Sequence, residues 1–227
     1  MKIYIPSRAR VNQRNHTFDN LPPSLQDRAR FVVSREDKKL YENRFGARHV
    51  LVTRAEGIGP VRQFIVDHHF KNELTGSIGD HHLVMLDDDL SFFVRRRDEP
   101  TKLKKAVPRS VEELFASIET TLYGFAHVGV AAREGANRNI EQRLLNTRML
   151  RVLAYDVSIL KMLRVRFDRI PVMEDFDVTL QLLEKGYPNA ILNHWAQDQG
   201  TSNAPGGCST YRSMELQAAG AAGLHKL

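Results

Sequence analysis

Cysteine is almost missing from this chain. Cys208 is the only one among 227 residues, so neither an internal disulfide nor a thiolate metal cluster can form within it. No apolar stretch approaches the length of a membrane span, and the opening MKIYIPSRAR turns charged after five residues, without the apolar region of a signal peptide. These absences predict an intracellular, cytoplasmic protein with no membrane partner. Internal repeats and low-complexity tracts are lacking as well. Aromatic residues make up only 8%, but a hydrophobic content of 42% excludes a disordered chain. The length suffices for one sizeable α/β domain rather than two.

Positive charge is in excess. Thirty-three Lys and Arg against 27 Asp and Glu give +6 and a pI near 9.5, which favours an anionic partner. Residues 95–109 carry seven basic side chains, including Arg95, Arg96, Arg97, Lys102, Lys104 and Lys105, against Asp98 and Glu99. Residues 138–169 carry eight, from Arg138 through Arg143, Arg148 and Arg151 to Arg169, against three acids.

The most informative stretch is LVMLDDDLSFF at 83–93. A short all-apolar run reads as a buried strand of an α/β sheet, and it ends in Asp87, Asp88 and Asp89. In extended chain Asp87 and Asp89 share one side while Asp88 points away. Two carboxylates at a strand's C-terminal edge, where open α/β sheets bind ligands, suit Mg²⁺ or Mn²⁺ shared with substrate phosphates. The bland alternative is a solvated strand end. The direct junction of acids and apolar strand favours the ion.

Strands are predicted at 2–5, 31–33, 49–52, 83–86, 127–131, 149–154 and 189–192. Helices are predicted at 39–45, from Val61, from Ser110 as N-cap with Glu113 in a capping box, at 156–163, and from Glu174 to Lys185 with Gly186 as the stop. The pattern predicts a single Rossmann-like α/β domain with a mixed, mostly parallel sheet flanked by helices. Gly129 suggests that something approaches its strand closely. After Pro6 the loop Ser7-Arg8-Ala9-Arg10 places two arginines and a hydroxyl at a strand end, which suits a diphosphate or a uracil-like base, and the loop after the second strand carries Ser34-Arg35-Glu36. In Thr53–Arg62, Gly57 and Gly59 allow close backbone approach to a phosphate and Arg62 offers a bidentate donor, although turn glycines in a plain connection explain the spacing equally well. Residues 95–109 read as a basic loop. The acids of Met173-Glu174-Asp175-Phe176-Asp177 suit the dipole of a helix start, and such an acid pair also suits a general base. Beyond residue 200 we expect a mobile loop around Asn203–Gly207 and a small-residue helix of the same domain, 201–227.

In this order the motifs resemble those of GT-A-type nucleotide-sugar glycosyltransferases. Asp87-Asp88-Asp89 in LVMLDDD matches their DxD motif, Glu174-Asp175 in VMEDFDVTLQLLEKGYP their later acid motif, and His194 in NHW their C-terminal metal histidine. More narrowly, Ile5-Pro6-Ser7-Arg8, Leu86–Asp89 and Met173–Asp177 resemble the glycosyltransferases associated with TET/JBP oxygenases in phages and kinetoplastids, which glucosylate hydroxymethylated DNA bases.

That resemblance implies a GT-A-like catalytic domain over 1–200, a UDP-sugar donor such as UDP-glucose, Mn²⁺ or Mg²⁺, and a double-stranded DNA acceptor carrying 5-hydroxymethylcytosine or a related base. A phage-encoded member would act in the host cytoplasm. It implies metal ligation by Asp89 and His194, with Asp87 toward ribose and sugar and Asp88 in the same donor motif. Pro6, Ser7, Arg8, Arg35 and Arg62 would meet the donor's nucleotide and diphosphate. Asp175, or Glu174 failing that, would take the acceptor's proton, and the anomeric centre would invert. Arg95–Arg97, Lys102, Lys104 and Lys105 are candidates for DNA phosphate contacts, or else a solvated loop. One departure is Gln63 after Arg62, where many members carry Asn. The rivals are the same enzyme class with a saccharide, lipid-linked or protein acceptor, and a silent nucleotide- or DNA-binding module, against which the intact acids speak. A nucleotidyltransferase would want a glycine-rich loop after the first strand, and Pro6-Ser7-Arg8 supplies none.

Overall fold

Apolar runs too short for helices build the centre of the molecule. The computed structural model describes residues 1–13, 16–136, 139–199 and 213–226, the side chain of Ile78 excepted. The expected mobile loop at Asn203–Gly207, the lone Cys208 and Arg138 lie outside the described residues. Ten strands are described: β1 (Lys2–Pro6), β2 (Ala29–Val33), β3 (Val50–Val52), β4 (His82–Leu86), β5 (Leu90–Arg95), β6 (Leu103–Lys105), β7 (His127–Ala132), β8 (Arg143–Leu145), β9 (Val152–Asp156) and β10 (Asn189–Gln199). They form one sheet in the order β3-β2-β1-β4-β9-β7-β10-β5-β6, with β8 on β10. All but β5, β8 and β9 point the same way, so the sheet is mixed and mostly parallel in strand direction.

Helices cover both faces: α1 (Pro23–Gln26), α2 (Lys38–Phe45), α3 (Ile58–Asn72), α4 (Pro108–Leu122), the kinked turn α5 (Arg133–Ala136), α6 (Val157–Met162), α7 (Glu174–Glu184) and α8 (Met214–Lys226). Alternation along each strand sorts the core into two layers. Ile3, Ile5, Phe31 and Val84 pack with Val111, Leu114, Phe115 and Ile118 of α4. Tyr4, Val32, Leu83 and Met85 pack with Ile65 and Val66 of α3, Leu160 of α6, and Val178 and Leu182 of α7. Strands buried on both faces by helices are the reason that they read as unbroken apolar runs. No helix among the described residues is long and apolar enough to cross a membrane.

Besides β9, which begins at Val152 and not at Met149 because Arg151 takes φ +66, the structure differs from expectation at three places. Residues 95–109 are not one loop, because Arg95 closes β5 and Leu103–Lys105 form β6, paired antiparallel. Helix α4 starts at Pro108, whose fixed φ suits a first helical turn, so Ser110 lies inside it and the capping box is not the start. Strand β10 runs on to Gln199 instead of stopping at Leu192, and β8 pairs beside it.

The third difference shapes the site. Strand β5 follows β4 after only three residues yet lies four places away in the sheet, roughly 19 Å at ordinary strand spacing. Asp87–Asp89 can bridge about 14 Å. The sheet therefore curls, and the register shift of β10 between Leu192 and Ala196 marks where it does so.

Candidate active site

A cavity of about 560 Å³ opens at the C-terminal ends of β1 to β4 and the start of α7. Its charged lining comprises seven arginines (Arg8, Arg10, Arg35, Arg54, Arg62, Arg148, Arg151) and seven acids (Glu36, Glu56, Asp87, Asp88, Asp89, Glu174, Asp175). Pro6 and Ser7 line it too, so the expected donor loops, the acidic strand end and the helix-start acids share one space.

The three aspartates form a turn and not an extended chain. Alternate facing therefore does not describe them. Asp88 turns inward and is 5% exposed. The Ser7 hydroxyl and Arg10 Nη1, the latter at 2.8 Å, donate to its carboxylate, while Ser7 shares a 2.7 Å hydrogen bond with Tyr41. Its carbonyl accepts from Thr17 N at 2.9 Å and Gln13 Nε2 at 2.8 Å. Asp88 thus ties the β1 loop to the acidic turn and has little capacity left for a ligand. Asp87 lies 3.2 Å from Arg62 Nη2, and Asp89 3.5 Å from Arg10 Nη1. Burial pushes the Asp87 carboxyl up to about 6; Arg62 opposes the rise and the neighbouring Asp89, Asp88 and Glu174 reinforce it. With 36% of that side chain open, water screens part of the effect. Asp89 is raised as well, by burial and then by Asp88.

At the start of α7, Met173 adopts the left-handed conformation, φ +68, which turns the chain so that Glu174 and Asp175 enter the cavity. Glu174 is buried and accepts from Arg62 Nη1. Arg62 thereby bridges Glu174 and Asp87. Burial works against its charge, and those two acids outweigh it, so the guanidinium is held above its ordinary range. Asp175 has a looser partner, Arg148 Nη2 at 3.4 Å. Asp177 accepts from Nε and Nη2 of Arg169, at 3.1 and 2.9 Å, and so ties α7 to the preceding loop.

His194 is not brought to the acids. It lies within β10, not in a loop after it, and the pairing of Trp195 with Val94 sets it opposite Arg95. Leu90, the residue after Asp89, is five positions away along β5, roughly 17 Å. His194 is exposed, packs edge-on against Trp195 and is lowered in pKa by burial and then by Arg95. Among the described residues no set of three or more His, Cys, Asp or Glu is placed to hold a metal. Asp87 and Asp89 still fit a hard dication that keeps waters and shares substrate oxygens, since their raised carboxyls are those a positive charge would relieve.

The basic stretch divides. Arg95 is buried and donates to the carbonyls of Asn193 (2.6 Å), Pro100 (2.7 Å), Ala136 (2.6 Å) and Asn139, which makes it a fastener of the β5 end and not a DNA contact. Arg96 pairs with Asp98, and Lys102 with Glu99 at 2.9 Å. Arg97, Lys104 and Lys105 remain exposed, at the sheet edge opposite β3. In the glycine pair, Gly57 takes φ +88 and lines the cavity, whereas a Cβ on Gly59 would sit 2.5 Å from the Phe167 carbonyl, so packing explains the second glycine. The close approach at Gly129 is Met149.

Arg10 lies in the loop expected to meet a diphosphate, whereas Arg54, Arg148 and Arg151 are site residues that sequence reasoning did not assign. Arg54 follows the β3 end as Arg35 follows that of β2, so the same rule applied to the third strand finds it. Arg148 and Arg151 carry no signal beyond charge density; Arg151 reaches the site because Asp87 N donates to its carbonyl at 3.0 Å.

An arginine- and carboxylate-lined cavity at the strand ends of an open α/β sheet has the position and the charges that suit a phosphorylated ligand. The model of the TET-Associated Glycosyltransferase family matches residues 1–207, and the chain belongs to that family of glycosyltransferases. It is 24% identical over 227 residues to a beta-glucosyl-HMC-alpha-glucosyl-transferase of Enterobacteria phage T6, covering 94% of this chain and 76% of that one. The protein of the same name from Enterobacteria phage T2 is 25% identical over 199 residues, 80% of this chain and 66% of that one. Among solved structures, a protein named mannose-1-phosphate geranyltransferase from Thermus thermophilus superposes with a TM-score of 0.51 at 10% identity, over 87% of this chain and 75% of that one, a likeness of fold alone.

Proposed function

We propose that the enzyme transfers a glucosyl group from UDP-glucose to a hydroxymethylated pyrimidine in duplex DNA, with Mg²⁺ or Mn²⁺ held by Asp87 and Asp89. The observation that carries this reading is the meeting of Asp87, Asp89 and Asp175 in one arginine-lined cavity of a TET-associated glycosyltransferase. The HMC in the names of the phage relatives supports the acceptor. A divalent ion there would neutralise charge growing on the departing diphosphate. Arg8, Arg35 and Arg54, one at each of three neighbouring strand ends, orient the nucleotide, and Arg10 and Arg62 fix the carboxylates beside the diphosphate. Asp175, the acid with the looser partner, accepts the proton of the attacking hydroxyl, whereas Glu174 is committed to Arg62.

A second reading takes the acceptor as a glucose already attached to the base, because the relatives' names carry beta-glucosyl-HMC. Nucleotide release is to be measured with several UDP-sugars and Mn²⁺ on plain, hydroxymethylated and glucosylated duplexes. We expect release with UDP-glucose on a modified duplex only. Release that ignores the base modification would refute the DNA acceptor, and retained anomeric configuration in the product would remove the base role from Asp175.

A further inference from the structure

Arg148, the partner of Asp175, also touches a ring that has no part in the chemistry above. The guanidinium of Arg148 lies over the ring of Phe176, 5.1 Å from its centroid, while its Nη2 reaches Asp175. We propose that Arg148 and Phe176 are the seat of the acceptor's unstacked pyrimidine, which enters between guanidinium and ring. This rests on the DNA reading and names the residues that would hold the base.

A hydroxymethyl oxygen is one carbon from its ring. Hydrogen-bonded to Asp175, it brings the ring edge to about 5 Å from that carboxylate. Two flat groups lie close by: Arg148, which lines the cavity and touches Asp175, and Phe176, next in sequence, whose ring the guanidinium covers. Unstacked bases are held by aromatic faces and guanidinium planes. The two halves differ in burial as a clamp requires. Phe176 is half-buried in the first turn of α7. Around Arg148 the backbone is pinned, with Thr147 N donating to Asn189 Oδ1 at 3.1 Å and Asn189 Nδ2 to the Thr147 carbonyl at 2.8 Å. The Arg148 side chain is 47% exposed, and its 3.4 Å pair is longer than the 2.8 Å of Arg10 and Asp88. A base can lift it without breaking buried structure, and Asp175 is released toward the hydroxyl in the same movement.

The test uses the full chain and a duplex with one hydroxymethylpyrimidine beside 2-aminopurine, whose fluorescence rises when its neighbour unstacks. Phe176→Leu and Arg148→Gln should each raise the acceptor KM about ten-fold and suppress the fluorescence rise, and Phe176→Leu, which leaves the cavity's charges intact, should not change the UDP-glucose KM. Phe176→Tyr keeps a ring and should restore both readouts. Unchanged acceptor KM in both variants overturns the seat, and so does a parallel rise of donor and acceptor KM in Phe176→Leu, the mark of a merely structural role. Wild-type protein that glucosylates a saccharide but no modified duplex would instead remove the DNA reading itself, before any variant is made.

Discussion

Glu174 and Asp175 stand side by side in the sequence and meet opposite fates. Glu174 is sealed against Arg62, and a buried pair broken on one side leaves the other charge uncompensated. Glu174→Gln should therefore cost about 3 kcal/mol of stability. Asp175→Asn should cost little stability and lower turnover about 100-fold or more, with donor binding not weakened. Urea unfolding and single-turnover assays separate the two, and equal losses of stability would refute the division of roles. His127 supplies a pH effect. It is fully buried, stacks on Tyr155 with centroids 4.2 Å apart, and neither ring nitrogen has a hydrogen-bond partner among the described residues. Burial, and then Arg62, lowers its pKa to about 3. The fold keeps it neutral while the unfolded chain takes up a proton below about 6.5, so its effect is absent above that pH and destabilises increasingly below it. Between pH 6.5 and 4.5 the loss from this group is about 2 kcal/mol. His127→Phe should flatten the fall of the urea midpoint over that window, and an unchanged slope would show that other groups cause it.

At the scale of elements, α8 sets the position of the segment that carries the acids. A Cβ on Gly220 would meet Val172 Cγ2 at 2.7 Å and the Val172 carbonyl at 3.2 Å, and one on Gly223 would meet Ile170 Cγ2 at 2.9 Å. The helix backbone thus rests on residues 170–172, immediately before the Met173 turn. Gly220→Val should cost about 1–3 kcal/mol and lower kcat while donor affinity, built on the β1–β3 loops, stays within two-fold. Calorimetric donor titration beside the kinetics reads this, and a variant with full kcat would uncouple α8 from the acids. Packing of this kind also explains what was legible beforehand. Strands such as Leu83–Leu86 and helix α4 announce themselves because their burial patterns are local and periodic. His194 and Arg95 could not be placed that way. A histidine in NHW reads alike in a loop or in a strand that continues, and Arg95 reads as one more surface charge until its carbonyl partners from three other segments come together.

For the whole molecule the question is where the positive charge acts. The chain carries +6, yet the charged residues lining the cavity balance, seven arginines against seven acids. Among the described residues, positive charge outside the cavity lies at exposed positions such as Arg97, Lys104, Lys105, Arg143 and Arg164, where it can act on a polyanion from outside. A balanced cavity has little net attraction for a diphosphate, so donor binding should wait for a dication that cancels Asp87 and Asp89. Donor affinity of the wild type should then fall at least ten-fold when EDTA replaces Mn²⁺. Asp89→Ala makes the sign explicit. Removing a negative charge leaves a net positive cavity, so in EDTA the variant should bind UDP-glucose as well as the wild type or better, while Mn²⁺ should add nothing. Isothermal titration in both buffers measures all four affinities. Wild-type binding indifferent to EDTA, or an Asp89→Ala variant still strengthened by Mn²⁺, would mean that the arginines hold the diphosphate without an ion at the aspartate turn.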